Sequence, residues 1–192
     1  MSMKKLITII VPAYNEEACI EELARQLTAV FAVNDRYDFE ALIIENGSVD
    51  RTWEILQTIN ARDSRFKVIR LARNFRMDGG ITAGLDYATG DAVVFMTADL
   101  QDPPELITEF IKKWEEGYEN IYMHVLKRRG TGPIRSFNSR AFYWLAGKLT
   151  DNLIPKNVSD YRLLDRKVYE AVRDMKDRNR FVRGLVAWVG FK

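Results

Sequence analysis

The stretch Leu6-Ile7-Thr8-Ile9-Ile10-Val11-Pro12-Ala13-Tyr14-Asn15-Glu16-Glu17 decides the fold. Leu6–Val11 is a nearly continuous apolar, β-branched run of strand length, the pattern of a strand buried on both faces. Pro12 ends it, because proline brings no N–H to a ladder. The period then changes. Over Glu16–Val33, Ile20, Leu23, Ala24, Leu27, Val30 and Phe31 recur at helical spacing. A doubly buried strand feeding an amphipathic helix is the first half of a βαβ unit.

The same alternation continues along the chain. Strands are expected at Phe39–Glu45, Phe66–Leu71, Asp91–Met96 and Asn120–Leu126, and helices at Asp50–Arg62, Ile81–Ala88 and from Pro103-Pro104-Glu105 to Glu116. Asn46-Gly47-Ser48 reads as a turn, and Ser48 or Asp50 as the cap of the second helix. Proline in the first turn of the helix after Pro103 loses nothing, since its N–H would be unpaired there anyway. Beyond Leu126 the pattern turns mainly helical, with Pro133–Leu149, Arg166–Met175 and Phe181–Trp188. Repeated βα units imply a mostly parallel sheet flanked by helices. The expected architecture is one α/β domain over residues 1–192 with a helical C-terminal third. The chain ends on Ala187-Trp188-Val189-Gly190-Phe191-Lys192 with no polar tail, as a chain cut from something longer would.

Composition narrows the function. The 192 residues are 47% hydrophobic and 29% charged, the balance of a globular chain, and 29 Lys+Arg against 27 Asp+Glu give a net charge of +2, which argues against nucleic acid. The single cysteine, Cys19, excludes an internal disulfide and a cysteine-based zinc cluster, and fits a reducing, cytosolic compartment. The single histidine, His124, excludes an HExxH metal site and argues against a Ser-His-Asp triad. No apolar run reaches the roughly 18 residues of a membrane-spanning helix, and Met1–Lys5 leads into no signal peptide. There is no GxxxxGK[ST], and Gly79, Gly80 and Gly84 do not form GxGxxG. Chemistry is left to three polar loops at strand C-terminal ends, where open α/β sheets bind ligands. They are Val11–Glu17, Glu45–Asp50 and Thr97–Pro104.

VPAYNEE, an acidic-GSxD turn and ADLQDPPE, in that order, resemble the family 2 glycosyltransferases of GT-A fold, and within them the polyprenyl-phosphate sugar transferases. Arg73-Asn74-Phe75, Thr82-Ala83-Gly84-Leu85-Asp86 and Ser159-Asp160-Tyr161-Arg162-Leu163 extend the resemblance over nearly the whole chain. It implies an inverting transfer of a sugar from a nucleotide-diphosphate sugar, UDP- or GDP-linked, to a polyprenyl phosphate at the cytoplasmic face of a membrane. It implies no nucleic-acid partner and leaves a homo-oligomer open. Pro12, Ala13, Tyr14, Glu16, Ile43, Glu45, Asn46, Ala98, Asp99 and Arg128 would bind the donor. Asp99 and Gln101 would hold Mg²⁺ or Mn²⁺, which neutralises the leaving diphosphate. Asp160, Arg140 and Arg162 would be the catalytic residues, with Asp160 in the place of the family's catalytic base. Toward a lipid phosphate it need only orient the acceptor or balance Arg162, whereas a hydroxyl acceptor would require a true base.

The chain departs from the family pattern in two places. Thr97 stands where the first aspartate of Asp-x-Asp is usual, and Glu45-Asn46 where paired aspartates are usual. A hydroxyl is a weaker ligand than a carboxylate, so donor phosphates or Asp102 must complete the metal's shell. Several residues have plain structural readings as well. Glu16 and Glu17 suit a helix N-terminus, and Asp160 could brace Arg162 within a turn. Asp78-Gly79-Gly80 falls where the subgroup usually carries a His-Gln-Ala-like run. Between Asn120 and Thr150 there is no Asp or Glu, while Lys127, Arg128, Arg129, Arg135, Arg140 and Lys148 alternate with aromatics, as suits an anionic lipid acceptor. Two rivals stay open: transfer to a saccharide hydroxyl, and a donor-binding domain with degraded catalysis.

Overall fold

The computed structural model describes residues 3–124, 158–175, 177 and 180–191. Six strands form one sheet: β1 (Leu6–Ala13), β2 (Asp38–Glu45), β3 (Phe66–Arg70), β4 (Ala92–Phe95), β5 (Asn120–His124) and β6 (Val158–Asp165). Their order is β3-β2-β1-β4-β6-β5. The first four are mutually parallel, and β6 lies antiparallel between β4 and β5. Among the described residues six helices pack on it: α1 (Ile20–Val33), α2 (Thr52–Arg62), α3 (Arg76–Tyr87), α4 (Leu106–Glu115), α5 (Arg166–Arg173) and α6 (Val182–Trp188).

Alternation along the central strands feeds two cores. Ile7, Ile9, Val11 and Ile43 join the apolar stripes of α1, α2 and α4 on one face. Ile10, Leu42 and Ile44 join α3, α5 and α6 on the other. This is why the first strands read as continuous apolar runs.

The expected strands are found with shifted ends. β1 does not stop before Pro12 but runs to Ala13, with Pro12 opposite Ile44. α1 begins at Ile20, not Glu16. α3 begins at Arg76, five residues before the expected Ile81, and includes Gly79 and Gly80. Gly80 and Gly84 are needed for packing: a Cβ on Gly80 would lie 2.7 Å from Cβ of Pro12, and one on Gly84 2.3 Å from Cγ2 of Ile10. Only a helix without side chains there can lie so close to β1. β6 is an addition to the expected pattern, a strand within the part of the chain that reads as mainly helical. The expected helix Pro133–Leu149 lies outside the described residues.

Candidate active site

Three of the loops at the C-terminal ends of the parallel strands, those after β1, β2 and β4, carry the candidate residues, and the first two are laced together. After β1, Asn15 takes a left-handed conformation (φ 56°), donates its N–H to Oγ of Ser48 (3.0 Å) and accepts from the Val49 N–H at Oδ1 (2.9 Å). The Glu16 N–H donates to Oγ1 of Thr52 (2.8 Å), the Glu17 N–H to Oδ2 of Asp50 (3.2 Å), and the Arg51 N–H to Oε2 of Glu17 (3.0 Å). Asp50 also braces the start of α2, one residue before its cap Arg51, accepting from the N–H (3.0 Å) and hydroxyl (2.6 Å) of Thr52. Burial alone would raise the Asp50 carboxyl, but these hydrogen bonds outweigh it and hold it below its usual value.

Glu45 and Asn46 close the end of β2 from inside. Glu45 is fully buried; Oε1 accepts from the Ser48 N–H, and Oε2 lies 3.0 Å from Nε of Arg70, in ion-pair range but misaligned for a hydrogen bond. Asn46 is 3% exposed, and its amide is spent on main chain. Oδ1 accepts from the Phe75 N–H (3.1 Å) and Nδ2 donates to the Arg76 carbonyl (3.2 Å). Arg76 has φ 63°, so Asn46 fixes the strained entry to α3. Gly47, at φ 74°, lets the chain near Arg73 pass, since a Cβ would lie 2.8 Å from its Cα.

The loop after β4 centres on Thr97. Its hydroxyl lies 2.7 Å from Oδ1 of Asp99 and 2.9 Å from Oδ2 of Asp102, and its N–H donates to the same Asp102 oxygen (3.0 Å). The Gln101 N–H donates to Oδ1 of Asp99 (3.1 Å). Oδ1 of Asp99 is thereby engaged inside the loop, while Oδ2 has no hydrogen bond among the described residues. Asp102 is 7% exposed, and burial chiefly pushes its carboxyl up, reinforced by Asp99 and Asp160 and opposed by Thr97. Burial likewise raises Glu16, helped by the charges of Asp99 and Asp50. Carboxylates from all three loops therefore share one field.

From the other side comes β6. Tyr161 is buried and donates its hydroxyl to the Pro103 carbonyl (2.8 Å), which fixes β6 against the Thr97 loop. Asp160 accepts from Nε (2.8 Å) and Nη2 (2.5 Å) of Arg183, on α6. Arg162, 4% exposed, donates instead to the Ser159 carbonyl (3.1 Å), and burial lowers its guanidinium to about 10. Asp78 accepts the Val182 N–H (3.1 Å), tying the start of α6 to α3; burial raises its carboxyl, with Asp160 adding to the shift.

The structure thus brings Tyr14, Glu16, Ala98, Asp99, Gln101 and Asp160 to one edge of the sheet, with Tyr14 exposed and Ala98 buried. Pro12, Ala13, Ile43, Glu45 and Asn46 are buried beneath it, Ile43 in the core against α1 and α2. Arg128 and Arg140 lie outside the described residues. The partner of Asp160 is Arg183, a residue that no motif in the sequence singles out.

No group of three or more His, Cys, Asp or Glu among the described residues forms a metal cage. The donor set still fits Mg²⁺ or Mn²⁺. Asp99 offers a hard oxygen without a hydrogen bond among the described residues, Gln101 is exposed, and such ions usually take one or two carboxylates and complete their shell with phosphates.

Comparison with known proteins gives a consistent assignment. The family model for "Glycosyl transferase family 2" matches residues 8–173. The chain is 46% identical, over its full length and 59% of the relative's, to the uncharacterized glycosyltransferase YkcC of Bacillus subtilis. It is 34% identical, over 96% of its length and 60% of the relative's, to the bactoprenol glucosyl transferase of Shigella phage SfV. Among solved structures, glucosyl-3-phosphoglycerate synthase of Mycobacterium tuberculosis, in complex with Mn²⁺, UDP and glucosyl-3-phosphoglycerate, matches with TM-score 0.61 at 20% identity, covering 85% of this chain and 58% of that one. The mannosyltransferase PcManGT of Pyrobaculum calidifontis, with GDP-Man and Mn²⁺, matches with TM-score 0.58 at 18% identity, covering 88% and 47%. The chain therefore spans about three fifths of the length of its curated relatives.

Proposed function

The chain belongs to glycosyl transferase family 2 and has the GT-A fold, and from that premise we propose that the protein moves a sugar from a nucleotide-diphosphate sugar to a polyprenyl phosphate. The similarity to bactoprenol glucosyl transferases supports the acceptor class, and the geometry at Asp160 is compatible with it. Both oxygens of that carboxylate already accept from Arg183. A hydroxyl acceptor would need one of them to take its proton. A phosphate monoester, with a second pKa near ~6, arrives mostly ionised and needs no base. The 34% identity to a bactoprenol glucosyl transferase over 96% of the chain is the observation that carries the reading.

The residues divide the work. Tyr14 lies at the rim, where its ring can pack on the base, and Glu16 can accept from the base or ribose. Asp99, with Gln101, would hold Mg²⁺ or Mn²⁺, which when bound neutralises the diphosphate as it leaves. Thr97 orients Asp99 through Oδ1 and leaves Oδ2 toward the donor. Glu45 and Asn46 hold the loops that carry these groups. The acidic side meets the donor's cation, and Arg162 gives the opposite side positive charge for an anionic acceptor. A polyprenyl acceptor places the reaction at a membrane surface, in line with the basic, aromatic segment from Asn120 to Thr150. No helix among the described residues is long and apolar enough to cross a membrane.

The test uses the full-length protein in detergent, with labelled UDP- and GDP-sugars, Mn²⁺ or Mg²⁺, and either undecaprenyl phosphate or a free oligosaccharide. The reading expects label in an organic-extractable lipid-linked product. Label carried only by the oligosaccharide would overturn the acceptor.

A further inference from the structure

Among the carboxylates at the site edge, Asp160 is singular. Glu16, Asp50, Asp99 and Asp102 have no Lys or Arg nitrogen within 4.0 Å among the described residues, whereas Asp160 is gripped by one guanidinium at both oxygens. Arg183 is delivered from a fixed point. It occupies the first turn of α6, and the N–H of the preceding Val182 is held by Asp78 on α3. Helix α6 has other anchors as well, because Val182 and Val186 are buried in the core. The side chains of Asp160 and Arg183 keep 39% and 18% exposure, and a pair that open adds little to stability. Docking the helix does not account for a two-point fork.

Arginine and lysine differ here in a way that matters. A guanidinium fixes a carboxylate in orientation as well as position, while an ammonium is a point charge. Arg162, the next residue but one on β6, takes no part in this grip, because its hydrogen bond goes to the Ser159 carbonyl. Asp160 is thus oriented from one side by a residue that reaches it from a separate element.

We propose that Arg183 is the positioning residue for Asp160, locking both carboxylate oxygens so that Asp160 faces the acceptor in one orientation. The proposal rests on the acceptor-side reading of Asp160. Arg183 acts through Asp160, and the cation also balances the carboxylate while the anionic acceptor approaches.

A double-mutant cycle in the full-length enzyme tests this, read as kcat, acceptor KM and donor affinity. Arg183→Gln should lower kcat about 100-fold, the scale of a reacting group displaced by about 1 Å, with donor affinity within about twofold of the parent. Arg183→Lys should recover only part of the loss. Adding Arg183→Gln to Asp160→Asn should cost no more than Asp160→Asn alone. Additive losses, full activity in Arg183→Lys, or loss of donor binding in step with kcat would overturn the proposal. If Arg183→Gln does not fold, Arg183→Lys with Asp160→Asn carries the same cycle. Unchanged activity in Asp160→Asn alone would instead overturn the acceptor-side reading itself.

Discussion

The two ends of the same sheet treat acidic side chains in opposite ways. At the end where the parallel strands begin, each buried or half-buried carboxylate meets a partner. Glu40 accepts from the Thr8 hydroxyl (2.6 Å) and from Nζ of Lys67 (2.6 Å). Asp91 accepts from the Leu6 N–H (2.8 Å) and pairs with Arg166 (3.2 Å). Asp165 accepts from the Trp114 indole (2.8 Å) and caps α5, and Glu119 pairs with Lys167. At the other end Glu45 and Asp160 are paired with Arg70 and Arg183, but Glu16 and Asp102 are pushed up by burial and by the charge of Asp99, and Asp99 keeps an oxygen without a hydrogen bond among the described residues. The first arrangement is what stability selects. The second tolerates uncompensated charge where a ligand is to bring the counter-charge, which is how a functional edge is told from a structural one.

The contrast is broken most directly by deleting an acid from each end. Glu40→Ala leaves the buried Thr8 O–H without its acceptor, although the same oxygen still accepts from the Gly90 N–H, and leaves Lys67 without its carboxylate, so it should destabilise by about 2 kcal/mol. In a domain of this size that lowers Tm by about 4–8 °C in a thermal melt. Glu40→Gln, which keeps an acceptor for Thr8, should lose less. An unchanged Tm in Glu40→Ala would show that the paired end is not what holds the sheet.

Asp102→Asn should move stability the other way. It removes a charge that burial and Asp99 disfavour, while an amide oxygen can still accept from Thr97, and a gain of about 1 kcal/mol is typical when functional-site strain is relieved. The pH dependence follows from the sign. A carboxyl raised in the folded state favours the protonated form, so its contribution is present at acid pH and is lost as pH climbs through the folded value. The advantage of the variant over the parent should therefore grow as pH rises above the ordinary aspartate value of about 4. An advantage that shrank over that range would contradict the crowding.

This contrast also marks what the sequence can reveal. β1, β2 and β4 stand out because burial on both faces leaves continuous apolar runs, the edge strands β3 and β5 because short apolar stretches survive there, and the three loops because acids cluster in them. β6 does not, because Asp160 and Arg162 interrupt its apolar pattern and its pairing with β4 and β5 is long-range. α3 looks shorter because Gly79-Gly80 reads as a break, whereas contact with Pro12 requires glycine at position 80. Asn46 reads as a donor-binding residue from its place in the turn, and its commitment to Phe75 and Arg76 depends on a strained turn that no spacing announces. Arg183 is hidden for a similar reason. Its partner is 23 residues away on another element, and a lone arginine in an apolar helix looks like a surface residue.

The central claim is that the crowded edge is a nucleotide-sugar site completed by a divalent ion. Calorimetric titration with UDP-, GDP- and CDP-sugars, each with Mn²⁺ and with EDTA, on the parent and on Asp99→Asn, tests it most directly. The account predicts that one nucleotide binds with Mn²⁺, that EDTA weakens it at least about tenfold, or about 1.4 kcal/mol, and that Asp99→Asn abolishes the metal's effect while leaving the fold intact. Equal binding with and without the ion, or binding of none of the three, would contradict it.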